Sequence, residues 1–273
     1  MTLLNDNGVS LREDDANEPY MRFQDVGLRY SERGPAILSD INLDVKKGEI
    51  VCLLGASGCG KSTLLNVAAG FLEPTEGKAL LQGSEISGPG ADRVMVFQED
   101  AVFPWYTVRQ NVAYGLRVRG VSKQETAELV NDAINLVGLT EFADAYPREL
   151  SGGMRKRCDM ARAIVLRPES ILMDEPFAAL DVMTKERLQV QFREISEAQS
   201  STSLFVTHDL EEALFVGTRI AILRKGAGPF LALADVPFGA HREVEIKTSP
   251  EFQKLRRELV DVIASDPSNQ KAA

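Results

Sequence analysis

Gly55-Ala-Ser-Gly-Cys-Gly-Lys-Ser62 satisfies the spacing G-x-x-x-x-G-K-[ST] and stands between the apolar run Ile50–Leu54 and a helix-like stretch from Ser62 to Ala69. Glycines at these positions let the backbone wrap phosphate oxygens, and the amides and helix N-terminus supply partial positive charge. Lys61 can reach terminal phosphates, and the Ser62 hydroxyl is placed to ligate Mg²⁺. The candidate phosphate contacts are Gly55, Ser57, Gly58, Cys59, Gly60, Lys61, Ser62 and Thr63. Further along, Ile171-Leu-Met-Asp-Glu175 places two acids after an apolar strand, where open α/β sheets bind ligands. Asp174 can hold Mg²⁺ through water, and Glu175 can polarise an attacking water. Alone, such a pair is a helix cap or a solvated turn; with a phosphate loop upstream it becomes a hydrolytic pair.

The elements that must position these groups follow from periodicity and breakers. Strand-like runs occupy Met21–Tyr30, Ile41–Val45, Ile50–Leu54, Val94–Phe97, Ile171–Met173, Ser203–Val206 and Arg219–Leu223. Helical spacing covers Thr107–Arg119, Thr126–Val137, Met154–Leu166, Val182–Ala198 and Leu210–Phe215, and Glu251–Ile263 is amphipathic. Helices alternating with short apolar strands predict an α/β fold around a largely parallel sheet. The mostly helical stretch from about 99 to 166 interrupts that alternation as an inserted lobe. The expected organisation is an acidic N-terminal tail (1–19), a phosphate-loop domain (20–225) and a C-terminal extension (226–273).

Composition narrows the class. The 273 residues carry 31 Lys+Arg against 40 Asp+Glu, a net charge of −9, which argues against nucleic acid as a partner. The three cysteines lack metal-ligand spacing and fit a reducing compartment. No apolar run is long enough to cross a bilayer, and the first residues carry no basic-then-apolar export pattern.

With these motifs in order, the chain resembles the ATP-binding subunits of ABC transporters from about Met21 to Leu223. The resemblance implies a phosphate-loop ATPase cassette with a mixed-sheet core, an antiparallel β portion and a helical lobe. Leu150-Ser-Gly-Gly153 matches the signature sequence, so Ser151, Gly152 and Gly153 would face the ATP held by a second ATP-binding subunit, in a homodimer. Tyr30 matches the residue that stacks on adenine, with plain strand packing as the alternative. Gln98 matches the glutamine that contacts Mg²⁺ and the attacking water. Asp181, in Ala179-Leu-Asp181, matches the dimer-contact loop, and His208 matches the switch histidine. The implied catalytic set is Glu175, His208, Gln98 and Lys61, with Ser62, Gln98 and Asp174 around the metal.

Departures stand beside the match. Met154 occupies a position where glutamine is usual, a familiar variant. Cys158 and Asp159 replace small or aliphatic residues; Asp159 lies either on an exposed helix face or inward, where it would weaken the signature helix. Cys59, inside the phosphate loop, is expected to block ATP binding when alkylated and to be protected by ATP. Phe97-Gln-Glu-Asp-Ala-Val-Phe-Pro-Trp105 and Asp174-Glu-Pro-Phe-Ala-Ala-Leu-Asp181 resemble importer subunits for nitrate, taurine and alkylsulfonates. That branch implies transmembrane permease subunits, a solute-binding protein and a peripheral place on the cytoplasmic face of the inner membrane. Phe103, Pro104 and Trp105 would line a groove for the permease, or Trp105 would be a core anchor. Signature-bearing ATPases acting on DNA or ribosomes are the other class. They would need a long heptad coiled coil or two cassettes in one chain, and the sequence has neither.

Overall fold

The computed structural model describes residues 18–31, 33–239 and 241–266. Most of the expected acidic tail and the polar end from Pro267 to Ala273 lie outside them.

Two sheets organise the chain. The first is antiparallel and contains β1 (Met21–Arg29), β2 (Ala36–Val45) and, later in the chain, β4 (Glu76–Leu81) and β5 (Ser84–Glu85), in the order β2-β1-β4-β5. The second is built from β3 (Ile50–Leu54), β6 (Arg93–Val96), β7 (Ser170–Asp174), β8 (Thr202–Thr207), β9 (Arg219–Ile222) and β10 (Ala232–Asp235). Its order is β10-β9-β3-β8-β7-β6, parallel except for the antiparallel edge strand β10.

The two faces of the second sheet bury different partners, which explains why its central strands β3, β7 and β8 are buried along their whole length. Val51 and Leu53, with Leu172, Leu204, Val206 and Ala221, join the core shared with the antiparallel sheet and α1 (Lys61–Ala69). Ile50, Cys52 and Leu54, with Ile171, Met173, Phe205 and Ile220, join the core on the opposite face. That second core takes in the helices α2 (Val108–Val118), α3 (Lys123–Leu136), α4 (Gly152–Ile164), α5 (Val182–Gln199) and α6 (Leu210–Val216), and the C-terminal α7 (Pro250–Ser265).

Helix starts are marked by capping side chains: Thr107, Ser122, Ser151, Asp181, Asp209 and Ser249 each accept an N–H from the first turn. The cap at Ser122 starts α3 earlier than the apolar periodicity from Thr126 indicates, because its first turn is polar and exposed. Helices α2, α3 and α4 all fall between β6 and β7.

Strand β10 escapes the sequence pattern because Ala232-Leu-Ala-Asp235 is short and follows a glycine-rich turn. The segment beyond it is anchored by a buried arginine. Arg242 donates to the carbonyls of Leu214 (2.9 Å), Phe215 (2.8 Å) and Gly217 (2.8 Å) at the end of α6. Phe252 of α7 is fully buried and stacks on Phe238, with ring centroids 5.5 Å apart.

Candidate active site

Four neighbouring parallel strands deliver the chemistry at their C-terminal ends. In sheet order, β3 runs into Gly55–Gly60, β8 ends at Thr207 before His208, β7 ends at Asp174, and β6 ends just before Phe97 and Gln98. The register pairs Leu54 with Thr207, Asp174 with Val206, and Val96 with Met173, so motifs far apart in the chain lie along one sheet edge.

The phosphate loop depends on its glycines. Gly60 has φ of 100°, and a Cβ there would lie 2.7 Å from Leu38 Cδ2 and 3.1 Å from the Ile37 carbonyl. Gly58, also at positive φ, has nothing within 4 Å of a built Cβ, so the loop faces open space there. Lys61 is buried, and its ammonium donates to the carbonyls of Gly55 (2.8 Å) and Ala56 (2.9 Å). Such a cationic group with loop amides around it fits an anionic phosphate.

Oxygen donors for a hard cation stand next to it. The Ser62 hydroxyl donates to the Asp174 carboxylate. Burial raises the Asp174 pKa; the Ser62 hydrogen bond opposes this and the Glu175 charge adds to it. Among the described residues no group of three or more His, Cys, Asp or Glu forms a metal cage. A hydroxyl beside a carboxylate supplies the oxygen donors that suit a hard cation completed by phosphate and water, as Mg²⁺ sites usually are.

Glu175 adopts φ of 45°, a conformation that costs a non-glycine residue about 1–3 kcal/mol and that clusters at functional sites. Its N–H donates to the Val206 carbonyl (3.0 Å), and its Oε1 lies 3.2 Å from Nδ1 of His208. The imidazole is 64% exposed on its side chain and free to meet a ligand. The turn beneath it is fixed by a network absent from the sequence reading. The Thr207 hydroxyl and Gln189 Nε2 (3.0 Å) donate to Glu212, and Lys185 reaches both Asp209 (2.9 Å) and Glu212 (3.3 Å). The cue was thin: Glu212 sits in an ordinary-looking acidic helix start.

Tyr30 is 66% exposed, and its hydroxyl lies 3.2 Å from Thr63 Oγ1, so the ring stands beside the phosphate loop outside the packed core. Cys59 is buried, and burial raises its thiol pKa although Lys61 beside it pulls the other way. Its side chain therefore offers little thiolate to an alkylating reagent.

The signature segment forms a second grouping. Ser151 Oγ accepts the Met154 N–H (3.2 Å), and a Cβ on Gly153 would meet the Ala179 carbonyl at 3.0 Å, so this helix start packs against the Ala179–Asp181 loop. Asp181 caps α5 through the Thr184 N–H (3.0 Å). No hydrogen bond or ion pair among the described residues joins Ser151–Gly153 or Asp181 to the phosphate loop. Asp159 points inward: it is 5% exposed, and its Oδ1 lies 3.2 Å from Arg162 Nη1. Trp105 is 66% exposed and so is not a core anchor; it stacks on Phe103 at 5.7 Å.

Comparison with known proteins gives a consistent picture. Residues 38–178 match the family described as ABC transporter. The chain is 43% identical over 242 residues to the taurine import ATP-binding protein TauB of Rhizobium johnstonii, covering 86% of this chain and 92% of that one. It is 40% identical over 253 residues to the nitrate import ATP-binding protein NrtD of Synechococcus elongatus, covering 90% and 92%. Among solved structures, the dimeric ATP-binding cassette MJ0796 in a post-hydrolysis state with ADP and Pi superposes with a TM-score of 0.72 at 29% identity, covering 80% of this chain and all of that one.

Proposed function

The chain belongs to the ATP-binding subunits of ABC transporters and hydrolyses ATP, and from that premise we propose that it drives an importer of a small anionic solute of the nitrate, taurine or sulfonate class. The observation that carries the motor reading is the division of the site. Gly55–Thr63, Asp174, Glu175 and His208 lie along the ends of neighbouring parallel strands, whereas Ser151–Gly153 pack against the Ala179–Asp181 loop with no hydrogen bond or ion pair to the phosphate loop among the described residues, and Gly152 borders Gln98 across a shared cavity. Two copies arranged head to tail would complete two ATP sites, each joining one phosphate loop to the other copy's signature segment.

In each site, Lys61 and the loop amides of Gly55–Ser62 bind the phosphates, and Tyr30 carries the adenine. Mg²⁺, bound through Ser62, Asp174 and Gln98, would neutralise charge on the β- and γ-phosphates. Glu175 orients the attacking water and takes its proton, and His208 donates to a γ-phosphate oxygen. The partner's Gly152 and Gly153 amides, at the N-terminus of α4, would add positive potential from the far side. ATP favours the closed pair and hydrolysis releases it, a population shift available to membrane partners.

Permease docking is supported by a groove of about 330 Å³ between the sheet and the helical lobe, lined in part by Val94, Phe97, Tyr114, Val118 and Leu166. The half-buried Phe103, on which the exposed Trp105 stacks, borders it through Tyr114, whose ring centroid lies 4.8 Å from that of Phe103. No helix among the described residues is long and apolar enough to cross a membrane, so transmembrane subunits would supply the pathway and a solute-binding protein the selectivity. The test is uptake of labelled nitrate, taurine and an alkylsulfonate in cells carrying wild type or Glu175→Gln, with membrane proteins that co-purify identified. Loss of uptake of one of these anions and recovery of a polytopic partner are expected. Unchanged uptake of all three, with no membrane partner, would overturn the importer reading.

A further inference from the structure

Lys156 lies four residues after Gly152 in α4, between Arg155 and Arg157. It is 2% exposed. Its ammonium donates to the carbonyls of Phe97 and Gln98, the latter at 3.1 Å. Both carbonyls belong to the segment leaving β6 that carries Gln98, the residue assigned above to the metal and the attacking water. A cavity of about 300 Å³ opens at this junction, lined by Gln98, Glu99, Asp100, Gly152, Lys156 and Ala179. Burial lowers the Lys156 pKa, while the charges of Asp159, Asp174, Asp100 and Glu175 act in the opposite direction.

A buried ammonium is costly unless acceptors surround it, so Lys156 and its two carbonyls must move together. Displacing α4 therefore displaces the Phe97–Gln98 backbone. The same helix begins with Gly152 and Gly153, which in the paired arrangement face the ATP of the other copy. We propose that Lys156 is a positioning residue that couples the two ATP sites, linking the signature segment facing the second molecule's ATP to Gln98 in its own site. The inference rests on the dimeric reading above. A mere anchor would lower stability without touching communication between the sites.

The test uses the full chain with Lys156→Met, which keeps length and removes the donors, and Lys156→Arg, which keeps a charged donor. ATP titrations of hydrolysis, equilibrium nucleotide binding and thermal melting are measured for each. ATP-driven dimer formation is followed by sedimentation in the hydrolysis-deficient Glu175→Gln background with and without Lys156→Met. Coupling predicts that Lys156→Met retains nucleotide binding by the isolated chain, loses cooperativity in ATP, and needs about fivefold or more ATP to reach half-dimer. Lys156→Arg should restore most of both. Unchanged cooperativity and an unchanged dimer midpoint in Lys156→Met overturn the proposal. So does a fall in melting temperature and nucleotide binding that is equal in the Met and Arg variants, which marks a plain anchor. Failure of Glu175→Gln alone to dimerise with ATP overturns the dimeric reading itself, and the coupling with it.

Discussion

Gly152→Ala separates what the chain needs for its own fold from what it needs for a second molecule. Gly152 is the first residue of α4, behind the Ser151 cap, and its φ is not in the left-handed region. A Cβ built there meets only Arg155 Nη2, at 3.8 Å, an ordinary contact with the flexible end of a side chain. Within one chain, then, the substitution is free of strain. Alanine is worth up to about 1 kcal/mol over glycine in a helix interior and less at the first position, so stability should be unchanged or raised by about 0.5 kcal/mol. For a chain of this size that is roughly 1–2 °C in melting temperature. Gly152 amide contact with a partner's γ-phosphate would be blocked by the added methyl. Losing one such preorganised donor typically costs about 10²–10³ in turnover. Melting curves and ATPase assays on the same preparation read both effects, with nucleotide binding by the isolated chain as a control. A lower melting temperature would refute the packing argument; near-normal turnover would refute the claim that Gly152 faces a phosphate.

Three further outcomes follow from the geometry. Phe252→Ala removes a fully buried ring stacked on Phe238 and should cost about 3–5 kcal/mol, lowering the melting temperature in a single transition; a loss below about 1 kcal/mol would show that α7 is not part of the common core. Because the Asp174 pKa is raised in the fold, its carboxylate takes up a proton at a higher pH than an ordinary aspartate. Mg²⁺ binding measured in the presence of nucleotide should therefore weaken on acidification from above the usual aspartate range, while the same raised pKa makes this group favour folding as pH falls through that window. Mg²⁺ affinity that stays flat down to the ordinary aspartate pKa would contradict the assignment. Cys59, buried with a raised thiol pKa, should react slowly with iodoacetamide at neutral pH with or without ATP; rapid modification that ATP suppresses would show a more open loop.

The placement of the candidate hydrolytic residues was legible because each motif sits where a strand meets a loop, and strands of five apolar residues such as Ile50–Leu54 have few alternative placements. Spacing could identify Lys61, Asp174 and Glu175, and resemblance supplied Tyr30, Gln98 and His208. Networks that require knowing which helix face is buried stayed hidden. Lys156 stands between two arginines, and only the fold shows that its turn of α4 faces the Phe97–Gln98 carbonyls. Glu212 is equally unremarkable in sequence, yet it is the buried acceptor for Thr207 and Gln189 beneath His208. Asp159 could have faced either way, and the ion pair with Arg162 fixes it inward. Strand β10 was missed because a four-residue edge strand with two alanines carries too little periodicity to stand out from a turn.

The central claim is that two chains share each ATP through Ser151–Gly153 while Glu175 activates the water. Glu175→Gln tests both parts in one sedimentation experiment with Mg²⁺ and ATP. The account predicts a stable dimer holding two ATP per pair, with turnover reduced about 10²–10⁴-fold, the usual range for losing a general base. A monomer that binds ATP without pairing, or a variant that hydrolyses at nearly the wild-type rate, would contradict it.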